Sequence, residues 1–264
     1  MKTLKIATLL VFASAMSAYA WTVEQINEHI EQTNFIVANH CSATLIDLEH
    51  RLVLTNNHCI EMFIKRVQRD KVSDNGEVSK VTVEEKSDVV ISQKIYDGHK
   101  LTSQASYITQ IVGRDLDRDL ALLQFRQEKI SQTKAAHIFE GDKVYRGETV
   151  YVIGNPMMLD AAITRGIISS TNRLIAVNGV ETAYYQFDAG IVGGNSGGSL
   201  YNDKGDLIGV PAAGARGTSV GLAIPFTDVK DFLTELCYAS VYDKTLGDTH
   251  YDECIEEQEK EEEK

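Results

Sequence analysis

The feature that most constrains the fold of this chain is a succession of short runs rich in Val, Ile, Leu, Thr and Tyr, which begins near residue 34. Polar or glycine-containing turns separate the runs, and no βαβ rhythm repeats between them. The runs are NFIVAN, SATLIDL, RLVLTN, VTVEE, SDVVIS, LALLQF, ETVYVIG, GIISST, AYYQFD and LIGVPA. Many short strands at such spacing are typical of an antiparallel barrel or sandwich, so the sequence predicts an all-β fold.

Two segments have helical spacing instead. In WTVEQINEHIEQT, Thr22 and Gln25 resemble a capping box and the apolar residues recur with a helical period. We therefore expect a helical segment over residues 21–33. Near the C-terminus, PFTDVKDFLTELCYAS predicts a second helix, because one of its faces carries Val229, Phe232, Leu233 and Leu236.

The first twenty residues resemble a secretory signal. Lys2 and Lys5 give a positive start, IATLLVFASAM gives a short apolar run, and Ala18-Tyr19-Ala20 fits the small-x-small cleavage pattern. The apolar run is well short of the roughly 20 residues that a membrane-spanning helix needs. We therefore expect cleavage after Ala20, no membrane span, and a secreted or periplasmic protein.

The charge of the chain argues against one class of partner. The formal net charge is −12 at pH 7, and loss of the two lysines in the signal would bring it to −14. Nucleic acid rewards Lys and Arg, so no nucleic-acid partner is expected. From Asp252 to Lys264, eight acidic and two basic residues give a net charge of −6. Such a run is typical of a solvated, disordered tail, to which we assign residues 241–264.

Four cysteines in a chain expected to be exported indicate two disulfides, for which three pairings are possible. Cys41 and Cys59 flank two neighbouring predicted strands, whereas Cys237 and Cys254 both lie near the C-terminus. We therefore expect Cys41–Cys59 and Cys237–Cys254. A zinc site is the alternative, but the sequence has no C-x-x-C or paired-histidine spacing. Neither a metal nor another cofactor is expected.

The stretch IVGGNSGGSL, residues 191–200, surrounds Ser196 with glycines, which indicates a backbone shape closed to other residues. A serine hydroxyl is a weak nucleophile that needs a base, and the base needs a third group to orient it. His58 ends the apolar run LVLTNNHCI, and Asp119 stands immediately before LALLQF. Each of the two residues, taken alone, is also an ordinary strand-end residue. Nearby competitors are His40, Asp115 and Asp117.

Three blocks of the chain resemble the signature blocks of the chymotrypsin-like serine peptidases: CSATLI…LTNNHC, DLALLQF and FDAGIVGGNSGGSLYNDKGDLIGV…VGLAIP. The last block is most similar to the bacterial HtrA/trypsin-like branch. The resemblance, over roughly residues 34 to 235, implies two six-stranded antiparallel β-barrels with the active site between them. It also implies Ser196 as the nucleophile, His58 as the general base and Asp119 as the group that orients His58. The backbone N–H groups of Gly194 and Ser196 would form the oxyanion hole.

The resemblance assigns residues 34–130 to the first barrel and residues 131–240 to the second barrel with its helix. The boundary lies in RQEKISQTKAAHIFEGDK, where hydrophobic alternation lapses. The region from about 61 to 105 is charged and uneven, and it makes the spacing from His58 to Asp119 61 residues, which is long for the family. We therefore expect an insertion there, in the form of a long loop with short elements of its own.

The substrate pocket implied by the resemblance has Gly190 at its base, and its other members are Ala212, Ala213, Gly214 and Gly221. No acid is among them, so we expect cleavage after apolar residues. Ala212 stands where many relatives place a serine that hydrogen-bonds the aspartate. Asn195 replaces an aspartate that pairs with a freed N-terminus in many relatives, so no such activation is expected.

The sequence also has two interpretations other than a peptidase. Residues 194–198 also satisfy the G-x-S-x-G elbow of α/β-hydrolases, but that fold needs an acid and then a histidine after the serine. Only 68 residues follow Ser196, and the first of them are glycine-rich and strand-like. The other interpretation is a catalytically silent relative that binds proteins through the same cleft. The 38 residues after Phe226 are too few for a PDZ domain, so we expect a stand-alone secreted serine endopeptidase, a monomer that acts on proteins or peptides.

Overall fold

The computed structural model describes residues 21–73, 76–97, 100–159, 161–177, 180–215, 217–247 and 249–262. The predicted signal, residues 1–20, lies outside the described residues. The strands are β1 Asn34–Val37, β2 Cys41–Asp47, β3 Leu52–Asn56, β4 Ile64–Val72, β5 Val78–Lys86, β6 Val89–Asp97, β7 Lys100–Asp115, β8 Leu120–Phe125, β9 His137–Ile138, β10 Thr149–Gly154, β11 Ala162–Val177, β12 Val180–Phe187, β13 Ser199–Asn202, β14 Asp206–Gly214 and β15 Gly221–Pro225. The helices are α1 Val23–Thr33, α2 Phe226–Glu235 and α3 His250–Glu262.

The first barrel is a closed ring of six antiparallel strands in the order β1-β2-β3-β8-β7-β6. Alternate residues of these strands point inward, where they are removed from water and form the barrel core. This core includes Phe35, Leu45, Val53, Ile91, Leu123 and Phe125.

The second barrel has the order β13-β10-β11-β12-β15-β14, and the pairing of β13 with β14 closes it. The short strand β9 lies outside this ring and pairs with β14 in parallel. A separate apolar cluster joins side chains of both barrels and of α2, including Leu54, Leu122, Ile153, Val210, Ile224 and Phe232. The prediction of an all-β fold with two six-stranded antiparallel barrels and a helix after them is confirmed.

The region from 61 to 105 is organised differently from the predicted loop. Strands β4 and β5 form a separate two-stranded hairpin, while β6 and β7 belong to the first barrel. The prediction was wrong for β6 and β7 because both strands extend well beyond the few buried apolar residues, such as Val89 and Ile91, that local alternation could report. Arg114 of β7, whose side chain is 5% exposed, pairs with Glu84 and Glu61 at the base of the hairpin.

The acidic C-terminal segment is helical over His250–Glu262, so the prediction of a disordered tail was wrong for these residues. Its start is held by the Cys237–Cys254 disulfide, and Tyr251 stacks on Tyr238 with ring centroids 4.8 Å apart. Anchoring at one end lets a charged helix form without an apolar face of its own. Both predicted disulfides are present, the other being Cys41–Cys59.

Helix α1 begins with the predicted capping box, in which Thr22 and Gln25 exchange hydrogen bonds. Trp21, just before it, packs edge-on against Tyr151 and Tyr201 of the second barrel. Among the described residues, no helix has the combination of length and apolar character that crossing a bilayer requires.

Candidate active site

His58 and Asp119 are brought together by the pairing of β3 with β8. His58 lies in a short 3-10 turn directly after β3, and Asp119 directly precedes β8, where Asn56 pairs with Leu120. Nδ1 of His58 lies 2.7 Å from Oδ2 of Asp119, and the backbone N–H of His58 donates to Oδ1 at 2.9 Å. A carboxylate in this position fixes both the orientation and the tautomer of the imidazole.

Two of the competitors named from the sequence, Asp115 and His40, make contacts elsewhere. Asp115 accepts hydrogen bonds from the N–H groups of Asp117 and Arg118, and its carboxylate also pairs with the Arg118 guanidinium. Nδ1 of His40 lies 3.0 Å from the carbonyl oxygen of Ala38 in its own turn. Among these candidates, His58 and Asp119 are therefore the histidine and the aspartate that contact each other.

Ser196 lies in the loop between β12 and β13 and is held against the turn of His58. Its carbonyl accepts from the N–H of Ser42 at 2.8 Å, and Sγ of Cys59 lies 3.8 Å from the same oxygen. The Cys41–Cys59 disulfide thus fixes the residue after His58 beside the backbone of Ser196. The Ser196 hydroxyl itself donates to the carbonyl of Ala212 at 3.3 Å, and within the described residues it makes no hydrogen bond to His58.

Two glycines of the loop have backbone conformations that exclude other residues. Gly194 has φ +104°, and a Cβ there would collide with the backbone of Asn155 and Met157. Gly197 has φ +79°, and a Cβ there would collide with Thr55 and Ser42. Glycine alone adopts such angles without strain, so the glycine pattern in the sequence reflects a steric requirement.

The N–H groups of Gly194 and Ser196 are free to donate to a ligand. The carbonyl of Gly193 accepts from the N–H of Met157 at 2.7 Å, which directs the Gly194 N–H of the same trans peptide to the opposite side. In the part of the chain that the structure describes, neither the Gly194 nor the Ser196 N–H has an acceptor. Two unpaired donors beside a serine hydroxyl form a candidate anion site.

The environment of Asp119 includes a buried phenol. Burial raises the pKa of the Tyr184 phenol, and the negative charge of Asp119 raises it further. Tyr184 is therefore a neutral neighbour of the carboxylate. The residues Cys41, His58 and Cys59 form a close group of potential metal ligands, but both sulfurs are in the disulfide. Because the thiolate is the ligand form of cysteine, this group does not offer a thiolate metal site.

A family model described as a trypsin-like peptidase domain matches residues 41–210. The chain belongs to this family. It is 31% identical over 212 residues to the periplasmic serine endoprotease DegP of Salmonella typhimurium, in an alignment covering 78% of this chain and 38% of that protein. It is 34% identical over 176 residues to the serine protease Do-like HtrA of Bacillus subtilis, covering 62% of this chain and 37% of that protein. The chain thus spans well under half the length of these relatives.

The fold of the serine endoprotease from Yersinia pestis is similar to that of this trypsin-like peptidase domain. The two structures superpose with a TM-score of 0.55 at 24% sequence identity, over 80% of this chain and 65% of the other. This similarity supports the two-barrel fold.

The cleft beside Ser196 in this trypsin-like peptidase domain has a volume of about 480 Å³. Of the predicted pocket residues, Ala213 and Gly214 line it, and Ala212 contributes the carbonyl that holds Ser196. Gly190 lines a neighbouring cavity of about 520 Å³ instead. Gly221 packs so closely on Phe187 of the barrel core that a Cβ there would collide with the ring. The substrate pocket implied by the resemblance stays a prediction.

Ile191 is one of the cleft residues that the predicted pocket did not include. It lines both cavities, and its Cγ2 lies 2.7 Å from the position that a Cβ on Gly214 would occupy. Its side chain therefore narrows the cleft opposite Gly214. Its position next to Gly190 was the only sequence signal for Ile191 as a residue of the pocket. The direction of a loop side chain depends on backbone angles, which no sequence pattern reports.

Proposed function

We propose that this trypsin-like peptidase domain is an exported serine endopeptidase that cleaves peptide bonds through an acyl-enzyme. In this proposal Ser196 is the nucleophile, His58 the general base and Asp119 the group that orients His58. The observation that carries it is the 2.7 Å contact between His58 and Asp119, in a turn whose next residue, Cys59, lies beside the backbone of Ser196.

The first step requires the Ser196 hydroxyl to leave the carbonyl of Ala212 and turn toward Nε2 of His58. Hydrogen bonds of this kind are often long or absent before substrate binds. The hydroxyl then gives its proton to Nε2 and attacks the substrate carbonyl carbon. Because Asp119 holds Nδ1–H of His58, Nε2 is the nitrogen that is free to accept the proton.

The attack converts the substrate carbonyl oxygen into an oxyanion, which the N–H groups of Gly194 and Ser196 stabilise. Collapse of the tetrahedral intermediate breaks the C–N bond, and the departing amine takes the proton from His58. Water then attacks the acyl-enzyme by the same route, with His58 accepting its proton. The free N–H groups and the left-handed Gly194 support this role.

The lining of the cleft supports cleavage after small or medium apolar residues. Ile191, Val192 and Ala213 are apolar, and no charged residue is among the described residues that line the cleft. Ile191 shortens the space available to a long or aromatic side chain. Because one methylene changes discrimination by only about 1–3 kcal/mol, we propose a broad preference.

Export to the periplasm or the exterior is supported by the two disulfides, since such bonds persist in oxidising compartments. The relative from Salmonella typhimurium is itself named as periplasmic. We extend this location to the present chain as part of the proposal, together with protein or peptide substrates and a monomeric state.

The decisive experiment is intact-mass analysis of the oxidised protein before and after treatment with a fluorophosphonate, with peptide mapping of the adduct. The proposal expects one adduct, on Ser196, and cleavage of quenched fluorescent casein. Ser196→Ala should abolish both, whereas the exposed and remote Ser106→Ala should leave both unchanged. A folded protein that forms no adduct and leaves casein intact would instead be a protein-binding relative without catalysis.

A further inference from the structure

The backbone of Asp119 is unusual for a residue other than glycine. Its φ is +57°, in the left-handed region that such residues rarely enter, although Asp tolerates it better than most. In this conformation the carboxylate contacts both the backbone N–H and the imidazole of His58. A strained backbone at a functional site persists only where its surroundings hold it.

Two neighbours of His58 hold the backbone of Asp119. Nδ2 of Asn56 donates to the Asp119 carbonyl oxygen at 2.9 Å, and the N–H of Asn57 donates to the same oxygen at 3.1 Å. The Asp119 carboxylate in turn bonds only to His58 within the described residues. The orientation of the carboxylate therefore depends on contacts made by the Asp119 backbone.

Ala212, which stands where many relatives place a serine that hydrogen-bonds the aspartate, gives Asp119 no comparable support. Ala212 lies at an irregularity in the pairing of β14 with β15, and its side chain has no hydroxyl to donate. Its carbonyl accepts the hydrogen bond of Ser196. The hydrogen bonds that fix Asp119 thus come from the first barrel alone, as far as the described residues extend.

The buried position of Asn56 is unfavourable for the stability of the fold. It is 0% exposed, and its Oδ1 has no hydrogen-bond partner within the described residues. A buried amide with one unsatisfied end lowers the free energy of unfolding relative to a satisfied or apolar side chain. Packing alone does not account for an amide here, whereas the donor that Nδ2 supplies to Asp119 does.

We propose that Asn56 is a positioning residue, which holds Asp119 in the left-handed conformation and thereby keeps its carboxylate on Nδ1 of His58. The inference rests on the proposed function, because it assigns Asn56 a part in the same reaction. Without the Nδ2 donor, the Asp119 backbone relaxes toward negative φ and its carboxylate moves away from the imidazole. Asn56 acts through Asp119 and does not itself touch the substrate.

The test compares Asn56→Ala with the wild-type protein and with Asn202→Ala. Asn202 is also buried, and its side chain accepts backbone hydrogen bonds in the β13–β14 turn, far from His58. Misplacement of a catalytic group by about 1 Å costs on the order of 100-fold in rate. We expect Asn56→Ala to lower kcat by about 100-fold with little change in KM, and Asn202→Ala to keep both.

The second readout is independent of activity. In ¹⁵N-histidine-labelled protein, the proton on Nδ1 of His58 should give a strongly downfield NMR resonance that Asn56→Ala loses and Asn202→Ala retains. If Asn56→Ala does not fold, Asn56→Leu replaces it, because leucine keeps a similar side-chain shape without a hydrogen to donate. The same loss of kcat and of the resonance is expected.

An unchanged kcat and an unchanged His58 resonance in the Asn56 variant would overturn the proposal. So would a kcat loss that Asn202→Ala shows to the same extent, since that result would mark a general loss of stability. If the wild-type protein neither cleaves casein nor reacts with the fluorophosphonate, the proposed function fails. The NMR comparison then still decides whether Asn56 positions Asp119.

Discussion

The hydroxyl of Ser196 donates its hydrogen bond to the carbonyl oxygen of Ala212, 3.3 Å away in the second barrel. His58 lies on the first barrel, so the hydroxyl rests on the side of the cleft opposite its proposed base. In the proposed reaction, the Ser196 side chain therefore has to rotate from the carbonyl of Ala212 toward His58 before it attacks the substrate.

Replacement of that hydroxyl should remove the proposed catalysis almost completely. We expect Ser196→Ala to lower kcat by roughly 10⁶-fold while residual rate above that of water remains, because the N–H donors and the cleft are intact. The measurement is kcat on a chromogenic peptide, with Ser106→Ala as the control. Retention of most activity would show that Ser196 is not the nucleophile.

Gly194→Ala should be nearly as harmful, for a different reason. The new Cβ would collide with the backbone of Asn155, and φ +104° is strained for alanine, so the N–H of residue 194 should turn away. Loss of one oxyanion donor costs about 2.7–4 kcal/mol in the transition state. We expect kcat to fall by about 10²–10³-fold with KM little changed.

The matched control for Gly194→Ala is Gly247→Ala, where a Cβ meets nothing within 4 Å. It should keep wild-type kcat. A Gly194→Ala enzyme with undiminished kcat would indicate that this N–H does not contact the oxyanion.

Ile191→Ala should change which bonds are cleaved. Removal of the side chain that narrows the cleft opposite Gly214 makes room for larger residues. We expect kcat/KM for a peptide with Phe before the cleaved bond to rise relative to its Val counterpart by about 10–200-fold. Competition between the two peptides in one reaction measures the ratio directly. An unaltered ratio would place the specificity pocket elsewhere.

The stability of the protein should fall in mildly acidic solution because of His29. Burial lowers the pKa of His29 to about 4, with the positive charge of Lys134 as a second cause. The unfolded chain, with a His pKa of about 6.5, therefore binds more protons between these values. The free energy of unfolding should decrease as the pH falls from about 6.5 to about 4, by about 3 kcal/mol from this group.

Urea unfolding at pH 7 and pH 4.5 measures this loss, and His29→Phe is the control. The phenyl ring can keep the edge contacts with Trp21 and Tyr201 but does not titrate. The variant should lose less stability than the wild-type protein over the same interval. Equal losses in both proteins would assign the acid sensitivity to other groups.

The two disulfides should have separable effects. Each closes a short loop, of 18 and 17 residues, so removal of either should lower the free energy of unfolding by about 3 kcal/mol. Cys41→Ala with Cys59→Ala should also lower kcat, because this bond lies against His58 and Ser196. Cys237→Ala with Cys254→Ala should leave kcat unchanged and speed hydrogen exchange in α3. Identical effects of the two removals on kcat would contradict this division.

The sequence predicted the strands and the motif residues, because short stretches of sequence contain the patterns that indicate them. Alternating apolar runs predicted the barrel strands, and the order of the His, Asp and Ser blocks predicted a triad of which the fold brings His58 and Asp119 into contact. The pairing of Asn56 with Leu120 brings Asp119 to His58, and this register is a long-range property that the order of the blocks only implies.

Other features depended on tertiary context that no local pattern contains. Ile191 narrows the cleft because of the loop backbone, and the role of Asn56 depends on a carbonyl 63 residues away. The charged C-terminal helix has no sequence signal of its own, since a disulfide and the Tyr251–Tyr238 contact hold it. In these three cases, contacts between distant residues or a disulfide determine the structure, and the local composition does not.

Helix α1 and the residues just before it make hydrogen bonds to both barrels. The carbonyl of Glu31 accepts from Gln93 of β6, and Gln32 accepts from the N–H of Thr133 in the segment that joins the barrels. At its other end, the backbone N–H of Trp21 donates to the carbonyl oxygen of Asp203 in the second barrel. A cut within residues 21–33 would free the barrels to shift against each other, and His58 and Ser196 lie on opposite sides of that seam. We therefore expect loss of residues 21–33 to alter the spacing of the two barrels, and with it the distance between His58 and Ser196.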